Sequence, residues 1–403
     1  MHRTSFESFY GGLRSFETMG AMMSPMLCRL SKCDRLAFPR TPFESEGSME
    51  PNEGQHAARN ARPRHSIGRT IAIVLLWALT AFLVVGMASR YAPSVLSNGR
   101  LIPEVAAFVP WFAIPSAAVL LVAAFTRRKA LSVLTVLCLA CQVFWHVGFF
   151  LPASRIAPKA VEPVPVQTSA DTVMRIMTLN TKNGLADADQ IVSIVRDQRV
   201  EVLALQEVSA SLIERLSAAG IDELLPYHVF GEPGPYDNGG VNVLYALAPM
   251  SDASSSILPI TGSAAPAATI TAGSHTARLV STHPTSPKSG TRGFWNESLR
   301  NLSSLRQYDD EYLIMGDFNS TWDHSRYRKM LGDTLVDASQ QAGEGFHMTY
   351  PSEPDYAMFP VPPMIEIDHI VYSKSSGMSV GSLQTVNVSG TDHLALLGTW
   401  TVS

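Results

Sequence analysis

Cysteine is scarce and one-sided: the four residues Cys28, Cys33, Cys138 and Cys141 all lie in the first part of the chain. Residues 161–403 therefore hold no disulfide and no thiolate-bound metal, in any redox compartment. Charge is thin as well, at 16% against about 25% for an average soluble domain, while hydrophobic residues reach 46%. That pairing excludes a disordered or collagen-like chain and points to a membrane portion. No GxxxxGKS/T loop is present, which argues against nucleotide-driven phosphoryl transfer. No GxSxG elbow is present, which argues against a serine hydrolase. No internal repeat stands out.

What remains is a chain of 403 residues with 31 basic and 35 acidic side chains. At about 150 residues per domain it should form two or three units. The near-neutral total hides a split: residues 1–160 carry a net +9 and residues 161–403 a net −13. Residues 1–69 have ten Lys/Arg, no sustained periodicity, and read as a disordered basic leader. Met49 is an alternative start within it.

Residues 70–154 hold three uncharged apolar runs, Thr70–Ser89, Val105–Thr126 and Ala130–Ser154, of 20, 22 and 25 residues. About 20 apolar residues cross a hydrocarbon core of ~30 Å, so each run is expected to span as a transmembrane helix. Pro110 and Pro115 are expected to kink the second. Arg59, Arg62, Arg64 and Arg69 precede the first run, and Arg127, Arg128 and Lys129 follow the second. Only Arg90, Arg100, Arg155 and Lys159 flank the other side. This bias predicts a multi-pass cell-membrane protein with a cytoplasmic N-terminus and an extracytoplasmic domain after residue 154.

Residues 155–171, rich in Pro and Val, read as a semi-rigid linker. Residues 172–403 alternate short apolar runs with polar and helical stretches. Strands are expected at Met174–Leu179, Val202–Gln206, Val241–Leu247, Ala277–Thr282, Tyr312–Met315, Ile367–Tyr372 and Ala395–Thr401. A helix is expected over Ala188–Gln198, and another carrying Leu212, Ile213 and Leu216. Packed sheets flanked by helices follow from this pattern.

Polar residues gather at the ends of these runs: Asn180, Gln206-Glu207, His283, Asp317 to Asn319, Asp368-His369 and Asp392-His393. Any one of them is ordinarily a cap or turn former. Together they put carboxylates, amides and imidazoles at strand ends, which converge on one sheet edge. The chemistry this set offers is hard-ligand, metal-assisted hydrolysis. Oxygen ligands from Glu207 with Asp392 or Asp317 suit Mg²⁺ or Mn²⁺. His393 and His283 can move protons or donate to a charged oxygen, while Asn180 and Asn319 orient a phosphate or water without adding repulsion.

The ordered motifs TLNTKNG, LALQEV, STHP, LIMGDFNSTWD, EIDHIVYS and GTDHLALL resemble those of the endonuclease/exonuclease/phosphatase superfamily. The resemblance covers about residues 172–403 and implies a DNase I-like four-layer α/β sandwich with two mixed β-sheets. It implies that Glu207, Asp392 and Asn180 lie on the metal side and that His393 is catalytic. Asp368 would fix His393, Asp317 and Asn319 would orient the attacking water and phosphate, and His283 would face a phosphate oxygen. The three spans also match a membrane-tethered bacterial arrangement of this domain. Pro284 after His283, Asn242 in a strand and Leu394 after the final DH depart from the usual pattern. The expected activity is a membrane-anchored, Mg²⁺- or Mn²⁺-dependent phosphoesterase acting on phosphate ester or pyrophosphate bonds of a lipid, lipid carrier or small molecule. The alternative is a nuclease acting on extracytoplasmic DNA or RNA. The net charge of −13 over residues 161–403 weighs against it, and a sequence cluster of Arg292, Arg300, Arg306, Arg326, Arg328 and Lys329 weighs for it.

Overall fold

The computed structural model describes residues 67–93, 101–164, 166–168, 172–234, 236, 238–288, 290–352, 361–374 and 377–402. The expected leader and Met49 lie outside them up to residue 66, and residues 67–69 open the first helix.

Four helices come first: α1 (Ile67–Ala88), α2 (Leu101–Ala107), α3 (Ala113–Phe125) and α4 (Lys129–His146). Two are long and apolar enough to cross a membrane, Ile67–Tyr91 and Lys129–Phe149 with their terminal 3-10 turns. The middle run is not one straight span. It breaks at Phe108 into halves bent by 66° and makes a third span only if both halves count as one. Pro110 explains the break, because it lacks an N–H and its ring clashes with the preceding turn, and the chain restarts as a 3-10 turn at Val109–Phe112. Pro115 sits in the first turn of α3, where an N–H has no intrahelical partner, and causes no kink there. Leu83, Val119, Ala123 and Leu131 pack the helices together.

The rest of the chain runs β1 (Val173–Asn180), α5 (Ala188–Asp197), β2 (Val200–Val208), α6 (Ala210–Ala218), α7 (Ile221–Leu224), β3 (Tyr227–Phe230), β4 (Val241–Ala246) and β5 (Ser251–Ser254). It continues with β6 (Ala267–Ala272), β7 (His275–Thr282), α8 (Arg292–Leu302), β8 (Tyr312–Asp317), α9 (Ser325–Leu331), β9 (Leu335–Asp337) and α10 (Ala338–Ala342). The last strands are β10 (Asp368–Ser373), β11 (Met378–Val386) and β12 (Ala395–Val402).

These strands form two mixed six-stranded sheets, ordered β11-β12-β1-β2-β4-β3 and β5-β6-β7-β8-β10-β9. Both faces of the central strands are buried, which is why they read as continuous apolar runs and not as alternation. Met174 and Ile176 of β1 meet Leu279, Leu313 and Ile370 between the sheets. Met177 and Leu179, on its other face, pack on Ile191 and Val195 of α5 and Leu212 and Leu216 of α6. Trp295 and Leu299 of α8 and Tyr327 of α9 cover the second sheet. The result is the expected α/β sandwich of four layers. Local chemistry starts the outer helices: Asp187 accepts from Gln190 N at 3.0 Å ahead of α5, and Ser209 from Leu212 N at 3.2 Å ahead of α6.

The stretch after the apolar helices lies against the sandwich. Ala157 N donates to Ser379 Oγ at 3.1 Å, and Arg199 donates to Val164 O at 2.5 Å. The same ends of α1 and α4 meet the segment that follows β8, where Arg90 and His146 both reach Asp323.

Candidate active site

Topology brings the site together. β1 and β2 are parallel, with Asn180 opposite Gln206, so Asn180 and Glu207 leave at one edge. β7 and β8 are parallel in the facing sheet, with Thr282 opposite Gly316, which brings His283 beside Asp317. Asp368 and His393 do not follow apolar runs. They sit at the starts of β10 and β12, which reach the same edge because they run antiparallel to β8 and β1. Asp368 lies directly opposite Asp317 in that register.

Gly316 has a steric reason in this arrangement. Its φ is +155°, and a Cβ there would stand 2.0 Å from the Thr282 carbonyl oxygen. Gly316→Ala should therefore separate β7 from β8 and cost more than ~2 kcal/mol of stability, measured as a fall in the denaturation midpoint. An unchanged midpoint would contradict this packing.

Asn180 is the hub. Its Oδ1 accepts from Lys182 N at 3.0 Å, and its Nδ2 donates to Glu207 Oε1 at 3.0 Å and Asp317 Oδ2 at 3.1 Å. Its amide thus braces two carboxylates, and its Oδ1 keeps a second lone pair beside the one that accepts from Lys182 N. Asn183 N donates to Glu207 Oε2 at 2.8 Å. His283 Nε2 lies 3.4 Å from Asp317 Oδ2 and 3.7 Å from Glu207 Oε1. Asn319 donates from its backbone to Asp317 Oδ1 at 2.7 Å and from Nδ2 to Pro284 O at 2.9 Å. His393 Nδ1 is 2.8 Å from Asp368 Oδ2, while its Nε2 faces Asp317 Oδ2 at 3.8 Å. Four of these residues hold left-handed backbone conformations, Lys182 at φ +48°, Asn183 at φ +55°, Glu207 at φ +57° and Asn319 at φ +47°. Such conformations are uncommon outside glycine and persist where the surroundings over-determine them.

Burial opposes charge throughout this cluster, and the pairings outweigh it at three groups. Burial alone would raise Asp317, but the His283 hydrogen bond and the nearby His393 and His283 hold it below the usual carboxylate range. Burial would lower His283, yet the hydrogen bond and charge of Asp317, with Glu207, leave it above its ordinary value. His393, also opposed by burial, is pushed up to about 10 by Asp368 and then Asp317. Burial prevails at Asp368, whose carboxyl stays raised despite His393. At neutral pH the cluster holds an ionised Asp317 facing an imidazolium at His393.

Two acids keep solvent access, Glu207 with 18% and Asp392 with 20% of the side chain exposed. Asp392 faces Lys182 Nζ at 4.0 Å. Each is a partly exposed carboxylate, the donor type that suits Mg²⁺ or Mn²⁺, which retain several waters. Among the described residues two further groups could hold a cation, Asp317 with Asp368 and His393, and Asp337 with Glu366 and His369. The first is engaged internally through the Asp368–His393 pair.

Asn242 has another task than substrate contact: it is buried and donates to Ala264 O at 2.7 Å. Asn238 is the residue the motifs miss, its amide lying 3.1 Å from His283 Nδ1. The only signal for it is its place in the turn before Gly239-Gly240. The Tyr350 ring is likewise unsignalled, with its centroid 5.0 Å from that of His393. Three members of the basic cluster are occupied elsewhere. Arg328 donates to Trp322 O and Arg90 O, both at 2.7 Å, Arg300 pairs with Glu297, and Arg306 donates to Ser303 O.

Two parallel strand pairs in facing sheets, converging on acids, amides and imidazoles, define a phosphoester-hydrolysing class. Residues 177–393 match the Endonuclease/Exonuclease/phosphatase family, and the chain belongs to it. It is a hydrolase acting on phosphoester bonds. A humanized D. rerio TDP2 is similar at 14% identity and a TM-score of 0.47, covering 58% of this chain and 100% of that one. The human Nocturnin catalytic domain is similar at 18% identity and a TM-score of 0.43, with 59% and 97% covered. Sphingomyelinase C from Streptomyces griseocarneus gives 15% and 0.40, with 56% and 99% covered. No curated protein matches the chain.

Proposed function

We propose that this protein is a membrane-anchored, divalent-metal-dependent phosphoesterase that hydrolyses phosphate ester or pyrophosphate bonds of a lipid or lipid carrier at the outer face of the membrane. The observation that carries the lipid reading is the seat of the domain: the segment leaving Asp317 and Asn319 is fastened to the ends of apolar helices. A bond cleaved there lies close to the bilayer surface. The outer-face reading rests on charge. Arg69 and the Arg127–Lys129 loop lie at the opposite helix ends from Arg90 and His146, separated by about 27 Å along α4, and such clusters favour the cytoplasm.

Glu207 and Asp392 would hold the cation, with Asn180 bracing Glu207. When bound, it would supply Lewis-acid polarisation of a phosphoryl oxygen. Ionised Asp317 orients the attacking water and accepts its proton. Asn319 keeps Asp317 in place through the 2.7 Å backbone hydrogen bond. His393, held by Asp368, donates from Nε2 to the oxygen where negative charge develops. His283 offers a second donor beside it, oriented by Asn238 and Asn319.

The deciding experiment uses the detergent-solubilised full chain with Mg²⁺ against a lipid pyrophosphate, a phospholipid panel and plasmid DNA. Turnover is expected on a phosphorylated lipid. Cleavage of plasmid alone would replace this reading with the nuclease one.

A further inference from the structure

The residues immediately after Asn319 are held by a series of buried contacts. Ser320 Oγ accepts from Trp295 Nε1 at 3.0 Å, and Ser320 O accepts from His369 Nε2 at 2.7 Å. From Thr321 onward the partners change to the apolar helices. Thr321 N donates to His324 Nδ1 at 2.8 Å, and His324 Nε2 donates to Pro103 O of α2 at 2.9 Å. Burial pushes His324 down to about 4, so the neutral imidazole carries its proton on Nε2. Trp322 Nε1 donates to Trp145 O of α4 at 3.2 Å. Asp323 is 1% exposed and receives Arg90 from the end of α1 and His146 Nε2 from the end of α4 at 3.0 Å. Arg90 in turn stacks over Trp145, 5.1 Å from the ring centroid.

A tether would require none of this. A flexible link suffices to keep a domain near a bilayer, and burying an Arg–Asp pair carries a desolvation cost that a link avoids. The clamp lies one short stretch from Asn319, whose left-handed backbone needs its surroundings to hold it.

We propose that the apolar helices are a working part of the catalytic site. Arg90 and His146, acting through Asp323, are positioning residues that hold the Asp317–Asn319 strand end in its productive geometry. Full turnover therefore requires the assembled helix bundle. This rests on the catalytic reading of Asp317 and Asn319 given above.

The test uses the detergent-solubilised full chain, saturating Mg²⁺ and bis(p-nitrophenyl) phosphate as probe. In R90Q/D323N neither charge is left buried and unpaired, so the fold should persist, verified by thermal melting. Loss of the clamp should lower kcat about tenfold or more with KM within about twofold, since small misplacements act on the reacting geometry. Amide hydrogen exchange across residues 318–324 should accelerate. Arg90→Lys, which keeps the charge, should restore most of both readouts. His146→Gln removes one partner only and should give a smaller loss of kcat in a folded protein if the double variant proves unstable. Wild-type kcat with unchanged exchange in folded R90Q/D323N would overturn the proposal, as would wild-type values of both in His146→Gln when the double variant does not fold. A wild-type chain inert toward the probe would count against the catalytic reading alone. In that case the exchange measurement still decides whether the helices hold this segment.

Discussion

His393→Ala should lower kcat by about 10²–10⁴, the usual worth of a positioned acid or base, and leave KM little changed. Asp317→Asn should do the same. The reason is geometric: His393 Nε2 and Asp317 Oδ2 face each other across 3.8 Å, and each is held from behind, His393 by Asp368 at 2.8 Å and Asp317 by Asn319 N at 2.7 Å. Neither is asked to supply uniform substrate binding. Asp368→Asn should give a smaller loss in the same direction, because it removes the anion behind the imidazole and leaves the imidazole. Its second effect is on pH dependence. Asp368 is the largest force raising His393 to about 10, so the protonated form persists through neutral pH and is lost as pH climbs toward that value. Without the anion the same loss occurs at lower pH, and the alkaline limb of kcat shifts to the acid side. The three losses should be far from additive, as for groups serving one step. Near-wild-type turnover by a folded His393→Ala would make the constellation structural.

EDTA should abolish activity, and Mg²⁺ or Mn²⁺ should restore it. The donors left open to solvent are carboxylate oxygens, with no thiolate anywhere in residues 161–403, so a hard cation is the one they suit. Glu207→Gln keeps shape and removes an anionic ligand. It should raise the Mg²⁺ concentration giving half-maximal rate by about 10-fold or more, equivalent to ~1.4 kcal/mol or more of lost attraction. Gly239 gives this position a companion test of geometry. A Cβ there would stand 2.4 Å from Glu207 Oε2, so Gly239→Ala should displace the carboxylate and reproduce the raised Mg²⁺ requirement. Full activity in EDTA would remove the metal from the mechanism.

The legible parts of this fold were those whose burial marks the chain locally. β1, β2 and β8 are apolar on both faces and stand out as short hydrophobic runs, and α5 and α6 show one buried face each. β6, Ala-Ala-Thr-Ile-Thr-Ala, is built from small residues and carries little hydrophobic signal. β11 is interrupted by a register shift between Gly381 and Gln384 that breaks its alternation. β5 and β9 are short edge strands, sustained by neighbours far away in the chain. The site motifs were legible because six such groups recur along one domain in the order of a known family, each being ordinary alone, but strand direction was not. Asp368 and His393 sit at starts instead of ends because β10 and β12 run antiparallel to β8 and β1. The contact between Arg90 and Asp323 spans 233 positions, and no local pattern carries such a pairing. The bend at Phe108 was legible from Pro110, whereas Pro115 sits in the first turn of an unbroken α3 and its expected kink is absent.

The order in which the strands are made has its own consequence. β1 is the first strand of the sandwich to leave the ribosome and β12 the last, yet they are neighbours in the sheet, paired from Val173–Thr401 to Thr178–Leu396. A nascent chain has its apolar helices, Glu207 and Asp317 long before it has His393. Until β12 arrives, one edge of β1 lacks its partner and the imidazole that faces Asp317 does not exist. On the roles proposed for His393 and Asp317, a chain whose β12 is not yet paired is expected to be inactive until that strand closes the sheet.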